Sequence, residues 1–219
     1  MFKNIISWSC LNVKTTNCDF SPMKQQLSKG IQHITNELQY SLEVLDNENY
    51  CLLSQLEEIK NKFIQMESVA ASFYLNCYLS AFTDKYADLS ICLQRLSDRH
   101  HGALIVIQRR DPLESFIQKG TVVEAALTPA LLEAIFYPGN PLHDGAVIIY
   151  GNQIVSAANV LPLTTAVIGD KKLGTRHRAA LGLSERSDAL VLVVSEETGR
   201  VSFALDGKLH PIVTVQSLH

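Results

Sequence analysis

The period of the hydrophobic residues changes at Gly102, and this change constrains the fold more than any other feature of the sequence. From residue 21 up to Gly102, apolar residues recur every three or four positions, which is the period of an amphipathic helix. After Gly102, short apolar runs such as 103–107 and 189–194 are bounded by turn-forming residues, as buried strands are. The chain therefore divides into a helical part and a part that mixes strands with helices.

Two apolar stripes predict an antiparallel helical hairpin over residues 21–80, which starts at Ser21 as N-cap with Pro22 as the first helical residue. The first stripe is Leu27, Ile31, Ile34, Leu38, Leu42 and Leu45, and the second is Leu52, Leu56, Ile59, Phe63, Met66, Ala70, Phe73 and Cys77. Two helices alone bury little surface, so the stripes are expected to pack on the rest of the chain or on another subunit. The pattern fits a purely structural cap as well as a role in assembly or regulation.

Residues 84–219 form the second predicted domain, and residues 1–20 are expected to be a tail. Predicted helices begin at Asp84, lie near 113–118, run from Thr128 to Phe136, and cover 174–183 with Thr175 as N-cap. Predicted strands are 103–107, 122–127, a run that ends at Tyr150, 153–159, 189–194 and a last one at 201–205. The fold class is therefore α/β, with an N-terminal helical hairpin followed by a mixed β-sheet that helices cover on both faces.

Composition excludes several classes of protein. The formal net charge of −3 argues against a general nucleic-acid binder, which would carry a basic face. No apolar run approaches the roughly 18 residues of a membrane helix. The five cysteines show no Cys-x-x-Cys spacing, so free, reduced thiols are expected rather than disulfides or a zinc site. These features predict a cytoplasmic protein that binds neither membrane nor nucleic acid.

The segment 141–150 places a histidine and a carboxylate, His143 and Asp144, directly before a β-branched run. This order puts Asp144 where a loop enters a buried strand, and Gly145 is expected to let a ligand approach the backbone closely. An ordinary Asp-Gly turn is the alternative interpretation.

A second segment, 174–178, places Arg176, His177 and Arg178 at a predicted helix start. The first N–H groups of a helix and the guanidinium forks of arginines both bind phosphates. A basic triplet on the protein surface is the alternative interpretation.

A third segment, 195–197, places Ser195, Glu196 and Glu197 directly after the most continuous buried strand. Asp144 and one of these glutamates could share a divalent cation with His143, and this donor set suits Mn²⁺ or Mg²⁺. Acidic metal ligands beside a phosphate clamp describe a site for phosphoryl or nucleotidyl transfer. A solvated turn is the alternative for the glutamates alone.

The segments Leu-His-Asp-Gly-Ala, Gly-Thr-Arg-His-Arg and Ser-Glu-Glu-Thr-Gly resemble the signatures of the diadenylate cyclase family over about residues 103–209. That family condenses two ATP molecules into cyclic di-AMP and releases two pyrophosphates. The helical residues 21–80 are similar to the short cytosolic branch found in spore-forming bacteria, rather than to the membrane-anchored or DNA-scanning branches.

The resemblance implies roles for individual residues. Asp144 would bind metal and activate the ribose 3′-hydroxyl, while Gly145 and Ala146 would leave room for the nucleotide. Glu197 matches the metal-ligand position, with His143 as a further ligand of Mn²⁺, Mg²⁺ or Co²⁺. The residues that the resemblance places around ATP are Leu142, Gly145, Ala146, Leu161, Gly174, Thr175, Arg176, His177, Arg178 and Ser195.

One position departs from the family pattern, because Val160 stands where many relatives carry a tyrosine beside the adenine. The resemblance also implies a homo-oligomer, since each protomer holds one ATP and two protomers must face each other. A hexamer of three such dimers is the simplest assembly that the hairpin could build, and it would restrain activity. A non-catalytic nucleotide-binding module on the same fold and an inert assembly subunit are the alternatives.

Overall fold

A computed structural model describes residues 21–45, 51–165 and 173–212. Three helices come first, followed by strands and helices that alternate along the chain. The elements are α1 (Ser21–Glu43), α2 (Leu52–Ser80), α3 (Tyr86–Asp98), β1 (Ala103–Gln108), β2 (Thr121–Ala126), α4 (Pro129–Ile135), β3 (Ala146–Tyr150), β4 (Gln153–Asn159), α5 (Thr175–Ser184), β5 (Leu190–Val194), β6 (Val201–Leu205) and β7 (Lys208–Ile212). The expected tail, residues 1–20, lies outside the described residues.

The strands form one seven-stranded sheet in the order β2-β4-β3-β1-β5-β6-β7. Strands β1 and β3 pair in parallel, and the other neighbours pair antiparallel. The predicted mixed sheet is therefore confirmed.

Helices cover both faces of the sheet, because successive side chains of a strand point to opposite faces. In β1, Ile105 and Ile107 belong to a core shared with α2, α3 and α4, whereas Leu104 and Val106 belong to a second core shared with α5. The central strands β1 and β5 are consequently apolar at almost every position.

Helices α1 and α2 form the predicted antiparallel hairpin, as two contacts at different heights show. Gly30 of α1 lies against Met66, whose Sδ would be 2.6 Å from a Cβ at Gly30. Glu37, two turns further along α1, pairs with Lys62, which is one turn earlier in α2. A glycine at the crossing lets the two helices approach closely.

Only some residues of the two predicted apolar stripes face the described part of this chain. On α1 the buried side contains Met23, Ile34 and Ser41, and on α2 it contains Ile59, Ser68 and Ala71. The exposed apolar side contains Ile31, Leu38, Leu42, Leu45, Leu53, Leu56, Phe63 and Ile64. Packing of these exposed side chains on another subunit stays a prediction.

The end of α2 belongs to the core of the sheet domain. Ala71, Leu75 and Leu79 pack in the same core as β1, and α2 also runs along β7. After α2, Thr83 donates a hydrogen bond from Oγ1 to the side chain of Asn152 at 2.8 Å. The C-terminal part of α2 therefore packs with the sheet, and the division into residues 21–80 and 84–219 stays a prediction.

Three predicted details at helix ends are wrong. Helix α1 already includes Ser21, and the N-cap of α3 is Lys85 rather than Asp84. Asp84 instead receives a long hydrogen bond from Asn152 at 3.4 Å. The N-cap of α5 is Gly174, and Thr175 is its first helical residue. The predicted cap at Thr128 is confirmed, since its side chain accepts a hydrogen bond from the Leu131 N–H at 3.3 Å.

Two further predictions about secondary structure are corrected. Residues 113–118 form turns instead of a helix. Leu113, Phe116 and Ile117 pack in the second core, against the sheet. Strand β7 follows β6 after a turn at Asp206 and Gly207, so 201–205 is not the last strand. The weak alternation of β7, which includes a proline, did not predict a strand.

The expectation that all cysteines are free thiols is wrong at Cys77, which is disulfide-bonded. Cys51 is free and exposed, and Cys92 is free and buried. The absence of a Cys-x-x-Cys spacing did not indicate this bond. No helix in the described ranges is long and apolar enough to cross a bilayer.

Candidate active site

The sheet brings two of the three sequence segments to one end of its strands. Ala103 at the start of β1 lies opposite Val194 at the end of β5, and Ala146 at the start of β3 lies opposite Asn159 at the end of β4. Because β1 and β3 are parallel, their starts are neighbours at this end. The loop that contains Asp144 and the turn that follows β5 therefore meet here.

Asn140 organises the loop before β3, although the sequence pattern did not indicate it as a site residue. Its side chain accepts a hydrogen bond from the Leu142 N–H at 2.9 Å and donates to the Ala134 carbonyl at 2.8 Å. Its own carbonyl oxygen lies 2.6 Å from Nδ1 of His143. Since a carbonyl only accepts, Nδ1 carries the proton, and the lone pair of a neutral His143 is on Nε2. This is the arrangement typical of a metal-binding histidine.

Asp144 is exposed at the end of this loop. Within the part of the chain that the structure describes, no hydrogen bond or ion pair engages its carboxylate. The group is therefore free to contact a substrate or a cation.

Gly145 and Ala146 are closely packed, and their expected role in leaving room for a nucleotide stays a prediction. Gly145 has a φ of +117°, and a Cβ there would lie 2.8 Å from the carbonyl oxygen of Asn159. Ala146 is completely buried. The small side chains thus let β3 approach the end of β4, and this close packing fixes the position of Asp144.

The residues that follow β4 differ in exposure. Val160 is 57% exposed, and its backbone N–H and carbonyl both bond to Gln118, at 3.0 and 2.9 Å. The side chain of Leu161 is buried in the second core, and Leu142 is partly buried against the first. Of these residues, Val160 alone presents a largely exposed side chain.

The third element of the site is the start of α5. Gly174 provides no side-chain cap, and in the described residues no backbone hydrogen bond uses the N–H groups of Thr175, Arg176 and His177. Free N–H groups and the helix dipole together attract an anion. The predicted anion site at 174–178 has the helical geometry that it requires.

Arg176 connects this helix to the turn after β5. Its Nη1 donates to Oε2 of Glu196 at 2.7 Å. This hydrogen bond and the charge of Arg176 hold the pKa of Glu196 below its usual value, and His143 contributes in the same direction. All three sequence segments are therefore within electrostatic reach of one another.

His177 and Arg178 leave the helix in other directions. His177 is half-buried, and burial lowers its pKa although the nearby Glu197 acts in the opposite direction. Arg178 is exposed, and within the described residues its side chain makes one long hydrogen bond of 3.5 Å, from Nη2 to the Thr164 carbonyl. The guanidinium of Arg178 is thus accessible to a ligand.

Ser195 shapes the turn that carries the two glutamates. Its hydroxyl oxygen accepts a hydrogen bond from the Thr198 N–H at 3.3 Å, and its carbonyl accepts one from the Gly199 N–H at 2.9 Å. The hydroxyl hydrogen stays available to donate. Glu197 is exposed on the same turn.

Two protein-family models match this chain. Residues 90–209 match the family model described as DisA bacterial checkpoint controller nucleotide-binding. Residues 14–82 match the model described as Diadenylate cyclase CdaS, N-terminal. The chain belongs to the diadenylate cyclase family.

Relatives within the family match most of the chain. It is 52% identical to the diadenylate cyclase CdaS of Bacillus thuringiensis, over 87% of this chain and 94% of the relative. It is 50% identical to the cyclic di-AMP synthase CdaS of Bacillus subtilis, over 87% of this chain and 92% of the relative.

Two solved structures resemble the fold. One is a protein from Bacillus cereus described as a hypothetical membrane spanning protein, with a TM-score of 0.72 and 51% identity over 88% of this chain and 95% of that one. The other is a double mutant of DacA from Staphylococcus aureus, with a TM-score of 0.57 and 43% identity over 60% of this chain and 87% of that one.

Membership in the diadenylate cyclase family implies a divalent metal, and the donors of this chain suit one only in part. The described residues contain no group of three or more His, Cys, Asp and Glu side chains that could hold an ion. The predicted triad of His143, Asp144 and Glu197 is thus not assembled as a complete site. Mg²⁺ and similar cations commonly take one or two carboxylates and complete their shell with substrate phosphates and water. The exposed carboxylates and the free Nε2 fit a cation that arrives with a nucleotide.

Three residues that support the site were not predicted from the sequence: Gly102, Asn140 and Asn159. Glu196 was expected only as a candidate metal ligand, and its hydrogen bond from Arg176 was not predicted. Gly102 was visible only as the point where the hydrophobic period changes. Asn140, between Gly139 and Pro141, is a typical turn residue. None of these signals distinguishes a supporting side chain from an ordinary turn.

Proposed function

We propose that this chain is a diadenylate cyclase that condenses two ATP molecules into cyclic di-AMP and releases two pyrophosphates. The observation that carries the proposal is the hydrogen bond between Arg176 and Glu196, which joins the start of α5 to the strand end beside His143 and Asp144. A phosphate-binding helix start next to free acidic ligands suits nucleotidyl transfer.

The start of α5 binds the phosphates in this proposal. Gly174 and Thr175 contribute backbone N–H groups, and Arg176 and Arg178 contribute guanidiniums, with His177 between them. The hydroxyl of Ser195 donates to a phosphate oxygen from the facing turn. Several donors in fixed positions hold the triphosphate in one orientation.

The base lies against the residues after β4. The exposed side chain of Val160 replaces the aromatic residue of many relatives, so apolar contact takes the place of ring stacking. Leu161 contributes its main chain, and Leu142 closes the pocket from the loop before β3.

Asp144 accepts the proton of the ribose 3′-hydroxyl. The 3′-oxygen then forms a bond to the α-phosphorus of the other ATP, and the bond from this phosphorus to the β-phosphate oxygen breaks, so that pyrophosphate leaves. Gly145 and Ala146 fix Asp144 through their packing against β4. The 3′-hydroxyl of the other ATP attacks the α-phosphorus of the first in the same way, and this second reaction closes the ring.

Asp144, Glu197 and Nε2 of His143 would hold the cation, which would be Mn²⁺ or Mg²⁺, with Co²⁺ as a substitute. When bound, such a cation would neutralise phosphate charge and lower the pKa of the attacking hydroxyl.

Two protomers face each other about a twofold axis, because each contributes one ATP. The exposed apolar side chains on the hairpin join such dimers into a larger homo-oligomer, most simply a hexamer, and restrain how the sites meet. The enzyme works in the bacterial cytoplasm, in a sporulating cell, and binds neither DNA nor membrane.

Incubation of the full chain with ATP and Mn²⁺, followed by chromatography and mass spectrometry, tests the proposal. The expected products are cyclic di-AMP and pyrophosphate in a ratio of one to two. Unchanged ATP that nevertheless binds the protein would indicate a non-catalytic nucleotide-binding module. Absence of binding would indicate an assembly subunit.

A further inference from the structure

The guanidinium of Arg176 lies in a confined position between the start of β1 and the turn after β5. A Cβ at Gly102 would be 2.5 Å from Nη1 and 2.8 Å from Cζ of Arg176. The same Cβ would be 3.0 Å from Cβ of Glu196. The guanidinium therefore rests directly on the backbone of Gly102, beside the Glu196 carboxylate that it contacts at 2.7 Å.

Gly102 is a glycine because of space and not because of backbone conformation. It is absent from the glycines with positive φ, and it is buried. Any larger side chain would occupy the volume that the guanidinium now fills. An alanine could adopt this backbone, so its main effect would be to displace the end of the Arg176 side chain.

Glu196 approaches Arg176 from a turn that is held in place by α3. Ser97 donates from Oγ to the Gly199 carbonyl at 2.6 Å. Gly199 is also packed so closely that a Cβ there would be 2.7 Å from the Ser97 carbonyl oxygen. Because this turn is fixed to the body of the protein, the Glu196 side chain starts from a defined position.

The contact with Glu196 leaves most N–H groups of the Arg176 guanidinium available. Only Nη1 donates to Glu196, and no other described residue accepts from this guanidinium. A long side chain that is already held in one place loses less conformational freedom when it binds a phosphate.

We propose that Gly102 and Glu196 form a seat that positions the Arg176 guanidinium for the nucleotide phosphates. The proposal rests on the phosphate-binding role of Arg176 given under the proposed function. In this arrangement Gly102 and Glu196 are positioning residues, since both act through Arg176 and neither needs to touch the nucleotide.

Calorimetric titration of the full chain with a non-hydrolysable ATP analogue and Mg²⁺ tests the seat. Glu196→Gln removes the charge that holds Arg176, and Gly102→Ala pushes the guanidinium away. Each should weaken binding by about two- to fivefold, the range expected for loss of an exposed ion pair. Glu114→Gln, which removes an exposed carboxylate that no described residue contacts, should leave the affinity unchanged.

The same substitutions in an Arg176→Ala background separate positioning from direct contact. If Glu196 and Gly102 act through Arg176, neither substitution changes the affinity further once the arginine is gone. An effect that persists in this background would overturn the proposal, because the residues would then act on nucleotide or metal directly. Tighter binding by Glu196→Gln would also overturn it, since Glu196 would then compete with phosphate for Arg176.

A third comparison distinguishes failure of the seat from failure of the proposed function. Arg176→Ala alone should weaken binding by about tenfold or more. If it does so while Glu196→Gln and Gly102→Ala have no effect, only the seat is wrong. If Arg176→Ala has no effect, the phosphate site itself is wrong. Glu196→Asp, which keeps the charge, should recover part of the affinity that Glu196→Gln loses.

Discussion

The side-chain amide of Asn159 donates a hydrogen bond to the carbonyl oxygen of Ala146 at 2.8 Å, in a position with no solvent exposure. Its oxygen accepts from the Gly120 N–H at 2.9 Å and from the Ser156 hydroxyl at 3.0 Å. One buried side chain thereby connects β4 with the start of β3 and the entry to β2. This connection lies two residues after Asp144.

Replacement of Asn159 by alanine should lower the free energy of unfolding by about 3 kcal/mol, because two buried polar groups and one half-buried polar group lose their partner. Urea unfolding of the purified variant measures the change. Asn61→Ala, on the exposed side of α2, serves as a control and should change stability by less than about 0.5 kcal/mol. Equal stability of the two variants would contradict the bridging role.

Two glycines with similar φ angles should respond very differently to alanine. Gly145 and Gly139 have φ angles of +117° and +91°, so alanine is strained at both. At Gly145 a Cβ would also meet backbone atoms at 2.8 Å, whereas at Gly139 nothing lies within 4 Å. Gly145→Ala should therefore cost at least about 2 kcal/mol more than Gly139→Ala in thermal or urea unfolding. A similar loss in both variants would show that backbone strain alone matters.

Asp144→Asn should keep the fold and lose the activity. Because its carboxylate is exposed and unbonded within the described residues, the midpoint of unfolding should stay near that of the wild type. Production of cyclic di-AMP should fall by at least about 10²-fold, as is usual when a general base or metal ligand is lost. The control Asp206→Asn changes an exposed aspartate in the turn before β7 and should leave the rate unchanged. Activity within about tenfold of wild type would refute the role of Asp144.

The exposed apolar residues of the hairpin should hold the oligomer together. Leu42 and Phe63 are 69% and 60% exposed, so the double variant Leu42→Lys/Phe63→Lys should fold normally. Light scattering should then report a smaller particle, and turnover per site should rise if the hairpin restrains the sites. Gln39→Lys adds charge at an exposed polar position of α1 and controls for charge alone. These substitutions are preferable to deletion of the hairpin, because α2 supplies Leu75 and Leu79 to the main core.

Stability should decrease as the pH falls through the range in which histidines titrate. Burial lowers the pKa of His210 below its ordinary value of 6.5, although the nearby Glu67 acts in the opposite direction. The unfolded chain therefore binds this proton more strongly than the folded one. The stabilisation is complete above the ordinary pKa and is lost as the pH falls below it.

Urea midpoints at about pH 8 and about pH 5.5 measure this effect. His210→Gln should reduce the difference between the two midpoints, and His177, whose pKa burial also lowers, should account for part of the remainder. An identical difference in wild type and variant would contradict the assignment to His210.

Elements whose signal is local could be predicted from the order of the residues. Helical and strand periods repeat over a few residues, so they predicted the hairpin, α4, and the strands of the sheet from β1 to β6. The segments around Asp144, Arg176 and Glu197 also carried their chemistry in adjacent residues, which is why the diadenylate cyclase family was identifiable. Residues that are adjacent in sequence are enough to predict such features.

The residues that support this chemistry depend on contacts between segments that are distant in the chain. Gly102 contacts Arg176 across 74 positions of sequence, and Asn159 connects three strands. The side of each hairpin helix that is buried also depends on such contacts. Strand β7 is another example, because it is stabilised by α2 and β6. These outcomes depend on distances between segments that are remote in sequence, and a local pattern contains no information about such distances.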